Sequence, residues 1–292
     1  MSGQNDSPQD DSADVSRPAS GPSSEWSSKP SPERSSGQSS VPSQGPEPAH
    51  GLSTEMIPVE ESQSSSPRLT SRSIRSFVIR NGRTTPAQSD AIQRLLPKHG
   101  LPFSPTPVSL DAAFNRQAPT WLEIGFGNGD VIINAASNQP EINVLGVEVH
   151  TAGVGHALLG IEQQQLDNVR LIQHDAIEVL ESMLPAASID KVLLLFPDPW
   201  HKKRHHKRRI VQSDFLDGVA RVLRQKGVLH CATDWAEYGE WMLEHLEADS
   251  RFSNLEGPGQ SAPRPDWRPL TRFEQRGHRL GHEVVDLLYE KV

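Results

Sequence analysis

The sequence predicts an α/β fold built on a doubly wound, mostly parallel sheet with helices on both faces. Short β-rich runs alternate with helical stretches from Thr120 onward, an order typical of parallel strands joined by crossover helices. A glycine-rich segment lies between the first of these strands and the helix after it, where such folds turn close to a ligand. The last β-rich run, 282–290, is expected to add an antiparallel strand.

The elements follow from the pattern in chain order. A helix-like stretch, 86–96, comes before the first strand. The predicted strands that precede the final run are 121–124, 143–147, 169–173, 191–196 and 227–233. One predicted helix begins after Gly129, and three others lie near 157–165, 177–183 and 212–223. Continuous apolar runs such as 192–196, within the predicted strand 191–196, are typical of strands that are buried on both faces.

Three segments differ in composition, and the chain divides at about residues 70 and 118. Residues 1–70 contain 20 Ser and 10 Pro and show no apolar period. They are predicted to be disordered, because they cannot offset their ordering entropy by burial; a docking tail is the alternative. Residues 71–118 form a basic segment that is expected to pack on the core. Residues 119–292 form the main domain.

Composition excludes several classes of protein. The longest apolar stretch is far shorter than the roughly 20 residues that cross a bilayer, and the amino terminus lacks a basic-then-apolar signal pattern. The single cysteine, Cys231, cannot form an internal disulfide or a CxxC pair. We therefore expect a cytoplasmic protein with no membrane span. The net charge of −8 does not exclude RNA, because phosphate binding depends on local clusters of cations.

The glycine-rich segment reads EIGFGNGD, from Glu123 to Asp130. Gly125 and Gly127 permit a tight turn and a close approach of the backbone to a ligand. Asp130 stands where a nicotinamide-binding motif would place its last glycine. Glu123 suits a cationic amino group, and S-adenosylmethionine has that group and no phosphate. A glycine-rich turn without a ligand is the alternative.

Two further acids follow predicted strands. Glu148 ends the second strand, where an acid can bind both hydroxyls of a ribose, although a surface acid explains it equally well. Asp175 follows the third strand and can accept from the exocyclic amine of an adenine, or cap the next helix. Because these strands end at one edge of the sheet, Glu123, Glu148 and Asp175 are expected to converge on one crevice.

The fourth strand ends in the motif FPDPW, residues 196–200. Prolines on both sides of Asp198 restrict the backbone and remove amide donors, so this loop is expected to be rigid. Its carboxylate lies at the carboxyl edge of the sheet, beside the predicted donor crevice. A simple turn is the alternative, but a turn does not require the tryptophan.

The run HKKRHHKRR, 201–209, holds six permanent cations and three histidines directly after this loop. In an otherwise acidic chain, phosphate recognition explains the run better than a solvated charge cluster does. No metal is expected on the histidines, because ammonium and guanidinium groups compete with a metal ion. Four arginines before the first predicted strand could extend the positive surface: Arg72, Arg75, Arg80 and Arg83.

A second polar group lies nearer the carboxyl terminus. Asp234 follows the strand 227–233, and the segment TRFE, 271–274, precedes the final strand. A Thr-Arg-x-Glu set can hold the edge of a base, or it can cap and bridge a loop. The residues alone leave these two interpretations even.

With its motifs in this order, the chain resembles bacterial tRNA (guanine-N7-)-methyltransferases. The resemblance covers about residues 72–292 and is carried by GFGxG, GVEVH, HDA, FPDPWHKxRHxKRR, ATDW and RPxTRFEQRGHRLGH. The PDPWHK and TRFEQRGHRLGH blocks are far more specific than the glycine motif. Ala152 departs from the family, because proline is favoured there, and the long Ser/Pro tail is also unusual.

The resemblance implies a Rossmann-like methyltransferase sheet, S-adenosylmethionine as the methyl donor, and tRNA as the partner, with the guanine in the variable loop. It implies donor contacts from Glu123, Gly125, Gly127, Glu148, Asp175 and Asp198. It implies substrate contacts from Lys202, Asp234, Thr271, Arg272, Phe273 and Glu274. It implies RNA contacts from Arg204, Lys207, Arg208 and Arg209. Asp198 is the implied catalytic residue, no obligate protein partner is evident, and a monomer is favoured.

Guanine N7 carries an in-plane lone pair and can attack a sulfonium methyl group without first losing a proton. Asp198 is therefore expected to orient the base and offset developing positive charge, and not to remove a proton. Two alternatives stay open. One is a methyltransferase of the same fold that acts on another RNA position, a protein or a small molecule. The other is a non-catalytic RNA-binding platform, which would bind no donor.

Overall fold

The computed structural model describes residues 74–79 and 83–292, apart from the side chains of Phe273 and His278. Its seven strands are β1 Thr120–Ile124, β2 Asn143–Val147, β3 Val169–Ile172, β4 Ile189–Leu195, β5 Leu223–Thr233, β6 Phe252–Asn254 and β7 Val285–Lys291. They form one sheet in the order β3-β2-β1-β4-β5-β7-β6. Strands β1 to β5 run parallel, and β7 pairs antiparallel with β5 and β6. The predicted fold class is confirmed, while the predicted tail, Arg72 and Arg80 lie outside the described residues.

Helices cover both faces of this sheet. The α-helices are α1 Pro86–His99, α2 Leu110–Phe114, α3 Asp130–Asn138, α4 Thr151–Gln163, α5 Ala176–Glu178, α6 Ser213–Val222, α7 Ala236–Glu247 and α8 Arg272–Arg279. A π-helical turn, Val179–Met183, continues α5, and a 3-10 turn covers Lys203–Arg208. None of the helices in the described part of the chain combines the length and apolar character needed to cross a membrane.

Alternate residues of the central strands face opposite sides of the sheet. Leu122 and Ile124 of β1 pack with Phe215 of α6 and Met242 of α7, whereas Trp121 packs with residues of α3 and α4. Truncation of a fully buried leucine such as Leu122 to alanine would cost about 2 to 5 kcal/mol. The two apolar layers therefore stabilise the sheet, and the sheet fixes the positions of the residues at its edge.

The chain order reverses between β1 and β4. From β1 the chain runs outward through β2 and β3, and it then returns to the other side of β1 with β4 and β5. The connections after β1 and β4 leave toward opposite faces, so that a crevice opens at the carboxyl edge between them. The acids that the sequence places after strands lie at this edge.

Five elements were not predicted from the sequence pattern: α2, α7, β6, α8 and the 3-10 turn. Helix α8 has the sequence RFEQRGHR, which offers no apolar period to detect. Strand β5 also begins earlier than predicted, at Leu223. Leu223 pairs with Ile189, and the ladder then skips to Val228 opposite Lys191, so the polar residues between are bulged out.

Candidate active site

A cleft opens at the carboxyl edge of the sheet, between the loops that follow β1, β2, β3 and β4. Its walls bring together five of the six residues that the resemblance assigns to the donor: Gly125, Gly127, Glu148, Asp175 and Asp198. The sixth, Glu123, lies near the end of β1 and is only 4% exposed. The charged and titratable side chains of the walls are acids and histidines. Such walls suit a ligand with cationic and hydroxyl groups better than a phosphate.

Three glycines in the left-handed region shape the loop after β1: Gly125, Gly127 and Gly129, with φ of 72°, 56° and 85°. L side chains rarely adopt this conformation. A Cβ at Gly125 or Gly127 would meet no described atom within 4 Å, whereas one at Gly129 would lie 2.7 Å from the Cβ of Ala157 in α4. The first two glycines thus leave room for a ligand, and the third allows α3 to pack against α4.

Glu148 is held in place by backbone amides. Its Oε1 accepts from the amides of Val149 at 2.7 Å and His150 at 2.9 Å, and its Oε2 accepts from the amide of Gly127 at 2.9 Å. His150 Nδ1 lies 2.8 Å from Oε1. These bonds join the loops after β1 and β2 and fix the direction of the carboxylate.

Glu123 is a buried acid without a full set of partners. Its Oε2 has no hydrogen-bond partner among the described residues. Burial, followed by the charges of Glu148 and Asp130, raises the pKa of the Glu123 carboxyl to about 8. A buried carboxylate is costly unless a cation or donors compensate for its lost hydration.

Asp175 combines the two positions that the sequence left open. Its Oδ1 accepts from the amide of Ile177 at 3.0 Å and so caps α5, while the residue also lines the cleft. The neighbouring His174 ring stacks on Phe103, with ring centroids 3.8 Å apart. Capping therefore fixes this acid at the cleft and is compatible with ligand binding.

The loop after β4, residues 196–200, holds Asp198 between two cavities. Phe196 and Trp200, at its ends, have φ of 53° and 49°, a conformation that is uncommon for bulky residues. Asp198 is exposed and lines both the cleft and a second cavity that includes Lys202 and His205. Asp198 thus stands at the boundary between the cleft and the basic segment.

The basic segment after this loop folds as the 3-10 turn. Lys202, Arg204 and Lys207 are exposed, and Arg208 is half-buried, with its guanidinium carbon 4.9 Å from the Trp200 ring centroid. Lys202 lines the second cavity, whereas Lys207 and Arg208 line a third one. No cluster of three or more His, Cys, Asp or Glu in the described parts of the chain is arranged to hold a metal ion.

Arg209 requires a correction, because it is 1% exposed and is not available to RNA. Its Nε donates to the carbonyl of Pro199 at 2.9 Å, and its Nη2 lies 3.3 Å from Glu237 Oε1. Its guanidinium carbon lies 5.0 Å from the ring centroid of Tyr238 and 5.1 Å from that of Trp241. Long-range packing against α7 turns this member of the basic run into an internal anchor.

The segment 271–274 begins α8, and its residues differ in exposure. Arg272 is exposed, Thr271 is 8% exposed, and Thr271 Oγ1 accepts from the amide of Glu274 at 3.2 Å. Glu274 is fully buried, with Arg264 Nε and Arg268 Nη1 each 2.8 Å from its carboxylate. The expectation that Glu274 binds the base is therefore corrected in favour of loop bridging. The side chain of Phe273 lies outside the described residues.

Asp234, which follows β5, packs against α8 at Gly277. A Cβ at Gly277 of α8 would lie 3.0 Å from the Asp234 side chain, so the glycine permits close packing. Asp234 Oδ2 also lies 4.0 Å from His282 Nδ1. The structure thus brings Asp234 next to α8, as expected if both belong to one site.

Residues before α1 also line the cleft, and the sequence did not indicate this. Ser76 and Phe77 form part of its wall. Trp200 Nε1 donates to the carbonyl of Ser76 at 3.0 Å, and His150 Nε2 lies 3.2 Å from the carbonyl of Val78. The apolar residues among the arginines of this segment were a sign of packing, but not of where the segment packs.

Comparisons with known proteins agree with this architecture. A family model described as "Putative methyltransferase" matches residues 117–287. The chain is 52% identical over 221 residues to the tRNA (guanine-N(7)-)-methyltransferase of Aeromonas hydrophila, covering 76% of this chain and 93% of that one. It is 51% identical, with the same coverage, to the tRNA (guanine-N(7)-)-methyltransferase of Shewanella baltica. The chain belongs to the tRNA (guanine-N7-)-methyltransferase family.

Among solved structures, the 16S rRNA methyltransferase KamB matches with a TM-score of 0.47 and 16% identity, over 62% of this chain and 93% of that chain. Members of the tRNA (guanine-N7-)-methyltransferase family are class I enzymes that use S-adenosylmethionine, and the cleft fits that donor. The absence of any described atom within 4 Å of a Cβ at Gly125 or Gly127 leaves room for it.

Proposed function

We propose that the chain transfers the methyl group of S-adenosylmethionine to N7 of a guanine in the variable loop of tRNA, as a monomer in the cytoplasm. The observation that carries the proposal is the position of Asp198, which lines both the donor cleft and the cavity next to the exposed cations. A guanine delivered from the basic side would meet the donor at this residue. Family membership selects tRNA and N7.

The donor supplies an electrophilic methyl group on a sulfonium, which becomes a neutral thioether as the methyl bonds to N7. The purine takes over the positive charge, and no proton has to leave N7 for the bond to form. We assign Asp198 to orienting the base and to stabilising this developing charge through its carboxylate. Its place between Pro197 and Pro199 restricts its movement during the transfer.

We assign each of three acids to a different group of the donor. We assign the ammonium group to Glu123, whose Oε2 lacks a partner among the described residues, and the ribose hydroxyls to Glu148. We assign the adenine amine to Asp175, which α5 capping holds at the cleft. Gly125 and Gly127 allow the backbone to approach the donor closely.

The acceptor side has a corresponding division. We assign the phosphates of the tRNA to Arg204, Lys207 and Arg208, of which the first two are exposed and the third is half-buried against Trp200. We assign the guanine to Lys202 and Asp234, together with Thr271, Arg272 and Phe273 at the start of α8. Glu274 then acts behind this surface, because its carboxylate is fully buried against two arginines.

The deciding experiment is nucleoside mass spectrometry of a tRNA transcript incubated with the full-length chain and methyl-labelled S-adenosylmethionine. The expected product is labelled 7-methylguanosine, which disappears when the variable-loop guanine of the transcript is replaced by adenine. A labelled nucleoside of another kind would support a methyltransferase acting on another RNA position. Binding of tRNA without binding of donor in calorimetry would support the non-catalytic platform. Size-exclusion chromatography with light scattering would test the monomer.

A further inference from the structure

We propose that two buried arginines, Arg209 and Arg268, contact the two ends of the 196–200 loop, hold its backbone in place and thereby position Asp198. The inference rests on the proposed function, since it concerns how well Asp198 performs methyl transfer. Arg209 and Arg268 are the largest fully buried side chains among the described residues, each 1% exposed. Their contacts with the loop lie at its opposite ends.

The loop needs such support because its backbone is unusual at both ends. Phe196 and Trp200 are bulky residues with φ of 53° and 49°, and a conformation of this kind persists only where surrounding contacts impose it. Pro197 and Pro199 have no amide hydrogen, so the loop offers few backbone donors with which to hold itself. External groups must therefore fix the place of Asp198.

Arg209 holds the end of the loop nearer the basic segment. Its Nε donates to the carbonyl of Pro199 at 2.9 Å, one residue before the left-handed Trp200. Glu237 pairs with the same guanidinium at 3.3 Å, and the rings of Tyr238 and Trp241 lie within about 5 Å of it. Glu237, Tyr238 and Trp241 all belong to α7, so Arg209 connects the loop to a helix of the core.

Arg268 holds the end of the loop nearer β4. Its guanidinium carbon lies 5.5 Å from the ring centroid of Phe196, the first left-handed residue. Its charge is paired with Glu274 at 2.8 Å and with Asp286 of β7 at 3.0 Å. Asp286 also lies 2.6 Å from His230 Nε2 of β5, so the arginine is fixed to the sheet. The same arginine thus contacts the catalytic loop and the start of α8.

Arg170, a half-buried arginine of the edge strand β3, provides a control with the same kinds of contact. Its guanidinium carbon lies 5.2 Å from the Phe114 ring, and its Nε donates to the carbonyl of Ala113 at 2.8 Å. It therefore makes both kinds of contact, ring and carbonyl, but with α2 and not with the 196–200 loop. Replacement of any of the three by lysine keeps the positive charge and removes the planar fork.

The experiment is a set of double-mutant cycles on the full-length chain. Single-turnover methylation of tRNA is measured with saturating donor for R209K, R268K and R170K, each with Asp198 intact and each in the D198N background. A misplaced catalytic group commonly costs on the order of tenfold to a hundredfold in rate, so we expect at least a tenfold loss for R209K and R268K. Affinities for tRNA and donor should change by less than about threefold, because neither arginine is exposed to either ligand.

The cycle distinguishes positioning from a general structural role. If the arginines act through Asp198, then R209K and R268K should have little further effect in the D198N background, and R170K should have little effect in either. Equal losses in both backgrounds would overturn the proposal, as would a loss explained by the unfolded fraction in thermal melts. If R268K does not fold, the rates of R209K and R209Q in the two backgrounds test the proposal. Absence of methylation by the wild-type chain would instead overturn the proposed function itself.

Discussion

Two halves of the sheet edge handle charge in opposite ways. The donor half, formed by the loops after β1, β2 and β3, presents acids that backbone amides of the same loops hold in place, as the three amides on Glu148 illustrate. The acceptor half, residues 200–209 and 264–274, contains charged residues of which some are exposed and others fully buried, as Arg204 and Arg209 illustrate. In the donor half, place in the sequence predicts which residues lie at the sheet edge. In the acceptor half, tertiary packing decides which charges can meet a ligand.

The largest expected effect lies where the halves meet, at Asp198. The variant D198N keeps the shape of the side chain and removes its charge. Loss of a well-placed electrostatic group typically costs about 100-fold to 1000-fold, so single-turnover methylation should fall by that factor. Affinity for tRNA should change little, because phosphate contacts supply most of the binding free energy. The measurement is the single-turnover rate with saturating donor, compared with equilibrium tRNA binding.

The pH profile sharpens this prediction. Because N7 needs no deprotonation, the rate should change little across the neutral range, unlike that of a general-base enzyme. D111N, which neutralises an exposed acid in α2, is the control. If D198N methylates tRNA at the wild-type rate, Asp198 has no catalytic role and belongs to a structural turn.

The donor half was largely predictable from sequence for a physical reason. Strand ends in a parallel sheet share one edge, so Glu123, Glu148 and Asp175 could be placed together before any contact was known. The glycine spacing likewise predicted open backbone at Gly125 and Gly127, where a Cβ would meet no described atom within 4 Å. Local sequence determines local backbone here, and the backbone determines the site.

The acceptor half was predictable only in part. Arg209 looks like its neighbours in the run 201–209, and its burial depends on Tyr238 and Trp241 in a helix that the pattern missed. Glu274 is paired with Arg264 and with Arg268, and the motif RPxTRFEQRGHRLGH, which begins at Arg268, does not reveal this pairing. Residues distant in the chain determine these roles, and periodicity does not report on such pairings.

The next effect tests which cations of the acceptor half reach RNA. Replacing Arg204, Lys207 and Arg208 together by glutamine should weaken tRNA binding by about tenfold and flatten the plot of log affinity against log salt by about two units. Donor affinity should hold, because these side chains are not in the walls of the cleft. The measurement is tRNA binding by filter retention across a salt series.

R224Q combined with K226Q is the matched control for this triple variant. Both residues are exposed cations, and they lie at the start of β5, at the opposite edge of the sheet from the site. Their replacement should leave the salt slope unchanged. If the triple variant keeps the wild-type slope, the RNA surface lies elsewhere on the molecule.

A smaller effect tests the donor half through Glu123. Burial and the charges of Glu148 and Asp130 raise the pKa of this carboxyl to about 8, so it is mostly protonated at pH 7. An ammonium group beside it would favour the carboxylate, and donor binding should then release a proton. Affinity should rise with pH, by at most about tenfold per unit, between pH 6 and 7.5, below the range in which the donor's own α-amino group deprotonates.

Calorimetry in two buffers of different ionisation enthalpy measures the released proton directly. E123Q cannot release a proton from this position, and it should bind the donor with an affinity that is independent of pH over this range. Wild-type binding without proton release would mean that Glu123 does not meet the ammonium group. The donor half would then have to bind that group through another acid.

The smallest expected effect concerns residues 1–73, which precede both halves in the sequence. Deleting residues 1–73 should change the rate of tRNA methylation by less than about twofold, because the Ser/Pro-rich sequence before Arg72 lacks any pattern that could build a core. Deleting residues 1–79 is the matched comparison, since it also removes Ser76 and Phe77 from the cleft wall and the carbonyl that accepts from Trp200. The longer deletion should weaken donor binding measurably, while the shorter one should not. A loss above about tenfold for the shorter deletion, roughly 1.4 kcal/mol in the barrier, would mean that the tail contributes to the site or to RNA binding.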